Sequence, residues 1–210
     1  MKTLIAAVLL ALVVTPVTGG ETVALFDGTH LDHWTCKAGG WTIEDGVLTR
    51  HPKAGYIWSV QAFEDFVLEL EFKVSKGCNS GLFFRSNPKN PVQGGFEIQI
   101  LDSHGKDRPG KHDCGALYDA LPPAVNAARP AGEWNKTVLT CDGSKIKVEL
   151  NGKVVIDTDI DAWDTANKNP DGSPNKFRTA LKGLPRKGHI GLQDHGKPVW
   201  FRNVTLRPLP

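Results

Sequence analysis

The stretch FVLELEFKV, residues 66–74, alternates apolar and charged positions along its length. Phe66, Leu68, Leu70, Phe72 and Val74 fall on one side, and Glu69, Glu71 and Lys73 on the other. Side chains in a strand repeat every second residue, so the pattern demands a strand with one dry face and one wet face. The dry face needs a second apolar layer to cover it. Further β-rich segments are GLFFRS (81–86), GFEIQILD (95–102), GHIGLQDHG (188–196) and VWFRNVTL (199–206). An Asp-Gly pair divides WTIEDGVLTR (41–50), and DGS and NGK divide 137–158 into three runs; both are hairpin signals. No stretch keeps convincing helical spacing, and short helices are expected only around 161–167. The expected fold class is all-β: a single-domain antiparallel sandwich.

Residues 1–20 hold one lysine, an apolar run from Leu4 to Val14, then Pro16 and small residues. That is the grammar of a secretory signal, too short and weakly flanked for a membrane span. The expectation is a signal peptide at 1–20, a domain at 21–210, no membrane insertion of the mature chain, and a secreted or periplasmic location. The 25 basic and 23 acidic residues are interspersed, with no basic stripe, which argues against nucleic acid as a partner.

An exported chain permits disulfides, and Cys36, Cys78, Cys114 and Cys141 allow three pairings. Cys78 with Cys114 is the preferred pair, since both lie in glycine-containing loop stretches. Cys141 ends the strand-like TVLTC and reads as a buried thiol. Two long polar segments rich in Pro and Gly interrupt the strands. Residues 103–131, carrying Tyr118, His104 and His112, read as an ordered functional loop; residues 159–187 read as a surface excursion.

Three segments place long polar side chains opposite their apolar ones. In FEIQIL, Glu97 and Gln99 oppose Phe96, Ile98 and Ile100; in LFFR, Arg85 shares a face with Phe83. In HIGLQDH, Gln193 and His195 oppose Ile190 and Leu192, and Gly191 opens space beside them. Brought together on one sheet, Arg85, Glu97, Gln99, Gln193 and His195 would make a hydrogen-bonding hollow suited to a polyhydroxylated ligand.

At these same residues the chain resembles a known family. LFDGTHLDHW (25–34), NSGLFFR (79–85), FEIQILD (96–102), GALYD (115–119), EWN (133–135), NG (151–152) and GHIGLQDHG…VWFRN (188–203) are similar to the 3-keto-disaccharide hydrolase domain. The resemblance runs in order from about residue 23 to 209. It implies a concanavalin-A-like jelly-roll sandwich and a hydrolase acting on glycosides already oxidised at C3 of the sugar.

A C3 ketone acidifies the hydrogen on C2, so a base can start an elimination that expels the C1 substituent, and water then adds back. That chemistry asks for a base, a donor or cation at the ketone oxygen, and an acid for the departing oxygen. His195 is the first candidate base, because imidazole titrates near neutral pH, and Glu97 the second. Arg85 is the candidate enolate stabiliser. Gln99 and Gln193 would orient hydroxyls; Tyr118 or His104 would close the site or act as acid; Asp102 would ligate a cation or orient a histidine. Glu97, Asp102, His104, His112 and His195 could also serve a divalent cation, although no ligand spacing requires one. Two other readings stay open: a non-catalytic carbohydrate-binding module, with Trp58, Trp134 or Trp163 as an aromatic platform, and a glycosidase or lyase acting on unoxidised glycans.

Overall fold

The computed structural model describes residues 20–210. The signal peptide expected at 1–20 therefore lies, but for its last residue, outside the described residues. Thirteen strands are present among them: β1 (Val23–Phe26), β2 (Trp34–Thr35), β3 (Trp41–Glu44), β4 (Val47–Arg50), β5 (Ile57–Phe63), β6 (Phe66–Val74), β7 (Asn79–Ser86), β8 (Phe96–Leu101), β9 (Trp134–Asp142), β10 (Lys145–Leu150), β11 (Lys153–Asp159), β12 (Gly188–Leu192) and β13 (Val199–Pro208). Two single 3-10 turns, Ile160–Ala162 and Leu181–Gly183, are the helical pieces among the described residues. The first begins one residue before the window where short helices were expected.

The strands form two antiparallel sheets. The eight-stranded sheet runs β11-β10-β9-β6-β13-β4-β3, with β1 added to β13; the five-stranded sheet runs β2-β5-β12-β7-β8. The 66–74 segment is the middle of the larger sheet, and its burial alternates along all nine residues as its sequence demands. Asp45-Gly46 and Asn151-Gly152 take positive φ at both positions (52° and 76°; 51° and 77°), the type I′ geometry that matches the twist of a two-residue hairpin. Leu68, Leu70 and Phe72 of β6 belong to the same core as Leu82, Phe84, Ile98, Ile100, Ile190 and Leu192 of the smaller sheet, each at most 2% exposed. Each such side chain contributes roughly 1.5–3 kcal/mol of transfer free energy. The all-β sandwich is therefore the observed fold.

Two expectations need correction here. No disulfide forms: Cys36, Cys78, Cys114 and Cys141 are all free. Cys78 points its Sγ at the carbonyls of Asn79 (3.6 Å) and Lys197 (3.9 Å), while Ser103 Oγ holds the backbone N–H of Cys114. Each thiol is enclosed in its own packing, and burial pushes Cys78 up to about 11 and Cys114 up to about 12. Cys141 is the buried thiol expected. Second, the 159–187 segment is more than a surface excursion. Trp163 (3% exposed), Phe177 and Leu181 join the core, and Trp163 Nε1 donates to Asn169 Oδ1 at 2.9 Å.

Candidate active site

The face of the five-stranded sheet turned away from the core is built in lateral rows. Register places Trp58 (β5), Gly191 (β12), Phe83 (β7) and Glu97 (β8) side by side. The next row holds Tyr56, Gln193, Gly81 and Gln99: Gly81 pairs with Gln99, the Gln193 N–H donates to Gly81 O at 3.0 Å, and Gln193 Nε2 donates to Tyr56 Oη at 3.3 Å. Each row has one glycine, and each glycine makes room for a neighbour. A Cβ on Gly191 would lie 2.3 Å from the Trp58 ring, and one on Gly81 would lie 2.0 Å from Glu97 Oε1. The Glu97 carboxyl thus lies against the Gly81 backbone, and the indole lies against Gly191, filling the space that this glycine was expected to open.

The result is a cavity of about 200 Å³ lined by Tyr56, Asn79, Val92, Glu97, Gln99, Tyr118, Lys176, Gln193 and His195. Its floor is buried and polar: Glu97, Gln99 and Gln193 are 6%, 3% and 6% exposed. Gln99 Nε2 donates to Asn79 Oδ1 at 2.9 Å, and Gln193 Nε2 donates to Glu97 Oε1 at 3.3 Å, leaving Gln193 Oε1 buried with no protein partner. Burial pushes the Glu97 carboxyl up to about 8, against a smaller downward pull from the Lys176 ammonium. Burial also raises the Tyr56 phenol, helped by the nearby Glu97 and Asp194 carboxylates. His195 and Lys176 stand exposed at the rim, and Lys176 Nζ sits 3.8 Å from the centre of the Tyr118 ring.

A buried ion pair fixes the His195 loop. Arg50 Nε donates to Asp194 Oδ1 at 2.5 Å, and Asp194 also receives the N–H groups of Gly55 (3.0 Å) and Gly196 (2.9 Å). Burial opposes its ionisation, but the Arg50 guanidinium and these N–H groups outweigh it and hold the carboxyl below its usual value. The chain turns at Gly196 because Asp194 caps that turn, so His195 leaves the sheet beside Tyr56.

Of the residues expected from the sequence, Glu97, Gln99, Gln193, His195 and Tyr118 come together in this cavity. Arg85 does not. Its φ of +46° breaks the alternation of β7 and turns the side chain away from Phe83 into full burial. There it donates to Asp65 Oδ1 (2.6 Å), Glu64 O (2.7 Å) and Gly143 O (2.7 Å), joining the β5–β6 and β9–β10 turns. Asp102 also stays out, its Oδ2 accepting from Gly77 N at 2.7 Å, and His104 is exposed with its Nδ1 2.8 Å from Ala128 O. His112 lies 2.8 Å from Asp119. The five side chains considered for a cation therefore do not converge, and no other group of metal-binding side chains occurs among the described residues. The aromatic platform is likewise not formed: Trp58 and Trp163 are buried, and the Trp134 ring lies under Lys73 and Arg202.

Tyr56, Asn79, Val92 and Lys176 were not anticipated. Asn79 carried a usable signal, since it alternates with Gly81 and Phe83 on one face of β7. Lys176 and Val92 lie in loops and Tyr56 just before a strand with no clean alternation, and nothing periodic marks them.

Fold and pocket together define a jelly-roll β-sandwich with a carboxyl-floored polar cavity on its open sheet face. Residues 21–207 match the model of the 3-keto-alpha-glucoside-1,2-lyase-like domain, and the chain belongs to that family. A 3-keto-disaccharide hydrolase of Bacteroides thetaiotaomicron is 29% identical, over 92% of this chain and 80% of its own length. The crystal structure of a candidate glycosyl hydrolase from Parabacteroides distasonis superposes with a TM-score of 0.84 at 36% identity, covering 90% of this chain and all of that one. A β-glucanase of Bacillus licheniformis shares the fold (TM-score 0.53, 14% identity, 93% of this chain and 100% of that chain).

Proposed function

We propose that this protein cleaves the C1–oxygen bond of 3-keto-glycosides and 3-keto-disaccharides by elimination and hydration, with Glu97 as the base. The observation that carries this reading is a carboxyl group on the floor of a sugar-sized polar cavity, its proton held up to about pH 8 by burial. A desolvated carboxylate is a stronger base than one in water, as removal of a carbon-bound proton requires. Glu97 takes the C2 proton, and the C2–H electron pair delocalises onto the C3 oxygen. The Lys176 ammonium at the cavity wall is the cation available to that enolate, the part expected of Arg85. Collapse of the enolate forms a C1–C2 double bond conjugated with the ketone and releases the C1 oxygen, which takes a proton. His195 at the solvent-facing rim supplies that proton, in place of the base role expected of it from the sequence. Water then adds at C1 while C2 regains a proton. Gln193 and Gln99 orient hydroxyls, and the unpartnered Gln193 Oε1 is the acceptor a sugar hydroxyl would satisfy. The apolar run in residues 1–20 supports an exported site of action.

The test is turnover of a 3-keto-glucoside beside its unoxidised parent, with and without chelator. The expected result is release from the keto compound alone, reduced at least about 100-fold in Glu97→Gln while ligand binding persists. Binding without turnover would make the protein a carbohydrate-binding module, and equal turnover of both compounds would make it an ordinary glycosidase.

A further inference from the structure

Asp119 lies outside the cavity, yet both long loops are tied to it. It follows Tyr118 in the first loop and is 7% exposed with φ of +58°, a left-handed conformation that Asp and Asn tolerate better than most residues. Its Oδ1 accepts from His112 Nε2 at 2.8 Å and lies 3.0 Å from Lys111 Nζ, both from its own loop. Its Oδ2 accepts the backbone N–H of Lys176, from the second loop, at 2.7 Å. Asn169 Nδ2, also from the second loop, donates to Asp119 O at 3.5 Å. Burial opposes its ionisation, but Lys111, His112 and the Lys176 N–H outweigh it, so the carboxyl titrates below its usual value and the tie carries a negative charge at neutral pH.

We propose that Asp119 is the positioning residue of this site: by holding the Lys176 backbone it fixes the Lys176 ammonium above the Tyr118 ring, where it faces the Glu97 carboxyl. Adjacent residues thus do paired jobs, Tyr118 receiving the ammonium on its ring and Asp119 anchoring the chain that carries it. The proposal rests on reading this cavity as the functional site, and its test needs no turnover.

Glu97 is the reporter. The groups lining its cavity are Tyr56 before β5, Asn79 on β7, Gln99 on its own strand, Gln193 and His195 beyond β12, Tyr118 and Val92 from loops, and Lys176. Lys176 is the cation that pulls its titration down. Asp119→Gly removes the carboxylate while accepting the positive φ, and Asp119→Asn keeps both the φ and an acceptor oxygen. With 13C-carboxyl-labelled glutamate, the Glu97 titration is followed by NMR in wild type, both Asp119 variants, Lys176→Met and the Asp119→Gly/Lys176→Met double variant. The expected result is a rise of about half a pH unit in Asp119→Gly and an equal rise in Lys176→Met. The double variant should rise no further, and Asp119→Asn should restore most of the wild-type value. A Glu97 titration unmoved by Asp119→Gly, or additive shifts in the double variant, would overturn the assignment. A wild-type protein that shows this titration pattern yet releases nothing from a 3-keto-glucoside would instead count against the proposed reaction and leave the positioning role standing.

Discussion

Glu97 gives up its hydration to the cavity floor and receives one long amide hydrogen bond in return, so the folded protein keeps a proton that the unfolded chain releases. The consequence for stability has a definite sign. Between pH 4.5, the ordinary value for glutamate, and about 8, the native state binds the extra proton, so stability falls as pH rises through that window. Glu97→Gln keeps the shape and has no proton to lose. Its stability by urea unfolding should be near that of wild type at pH 5 and exceed it by a growing margin up to pH 8, reaching a few kcal/mol and then levelling. A margin independent of pH would show that the carboxyl ionises freely in the native state. The residue itself was legible, because alternation in FEIQIL sets Glu97 and Gln99 opposite the core. Its protonation was not, because that depends on Gly81 of the next strand leaving a slot against its own backbone.

At the level of elements, regular alternation was a sufficient guide. Strand β6 runs over the residues its pattern marked, and the Asp-Gly and Asn-Gly turns fall where hairpins were expected. Two kinds of departure escaped it. Strand β5, Ile57–Phe63, carries Trp58, Val60 and Ala62 on one face and Ile57, Ser59, Gln61 and Phe63 on the other, so its apolar residues do not mark the core side, and Trp58 is buried on the outer side against Gly191 and Phe83. In β7, one residue in the left-handed region reverses the side-chain order, so period-two counting fails at Arg85. That arginine, on a strand of the smaller sheet, ties the β5–β6 turn to the β9–β10 turn of the larger sheet through a fully buried guanidinium whose ionic partner is Asp65. Removing one partner of such a pair leaves an uncompensated buried charge. Asp65→Ala should therefore cost about 3 kcal/mol in denaturant unfolding. A cost below about 1 kcal/mol would show that the Glu64 and Gly143 carbonyls satisfy Arg85 without it.

Across the whole molecule, the sandwich and the polar sheet face followed from local patterns, and the ordered set of segments from 25 to 203 pointed to the family. What closes the site was illegible because it depends on distance in sequence. Asp194 meets Arg50 across 144 positions, and the Lys176 backbone is held by Asp119, 57 residues earlier, and by Gln93, 83 residues earlier. The proposed reaction begins with removal of the C2 proton of an oxidised sugar in this cavity. Running it on a 3-keto-glucoside in deuterium oxide and locating the label by NMR reads that step. The cavity opens to solvent, so the carboxyl proton exchanges, and the released sugar should carry deuterium at C2, with no labelled product from Glu97→Gln. A released sugar that keeps its original C2 hydrogen would rule out proton removal at C2.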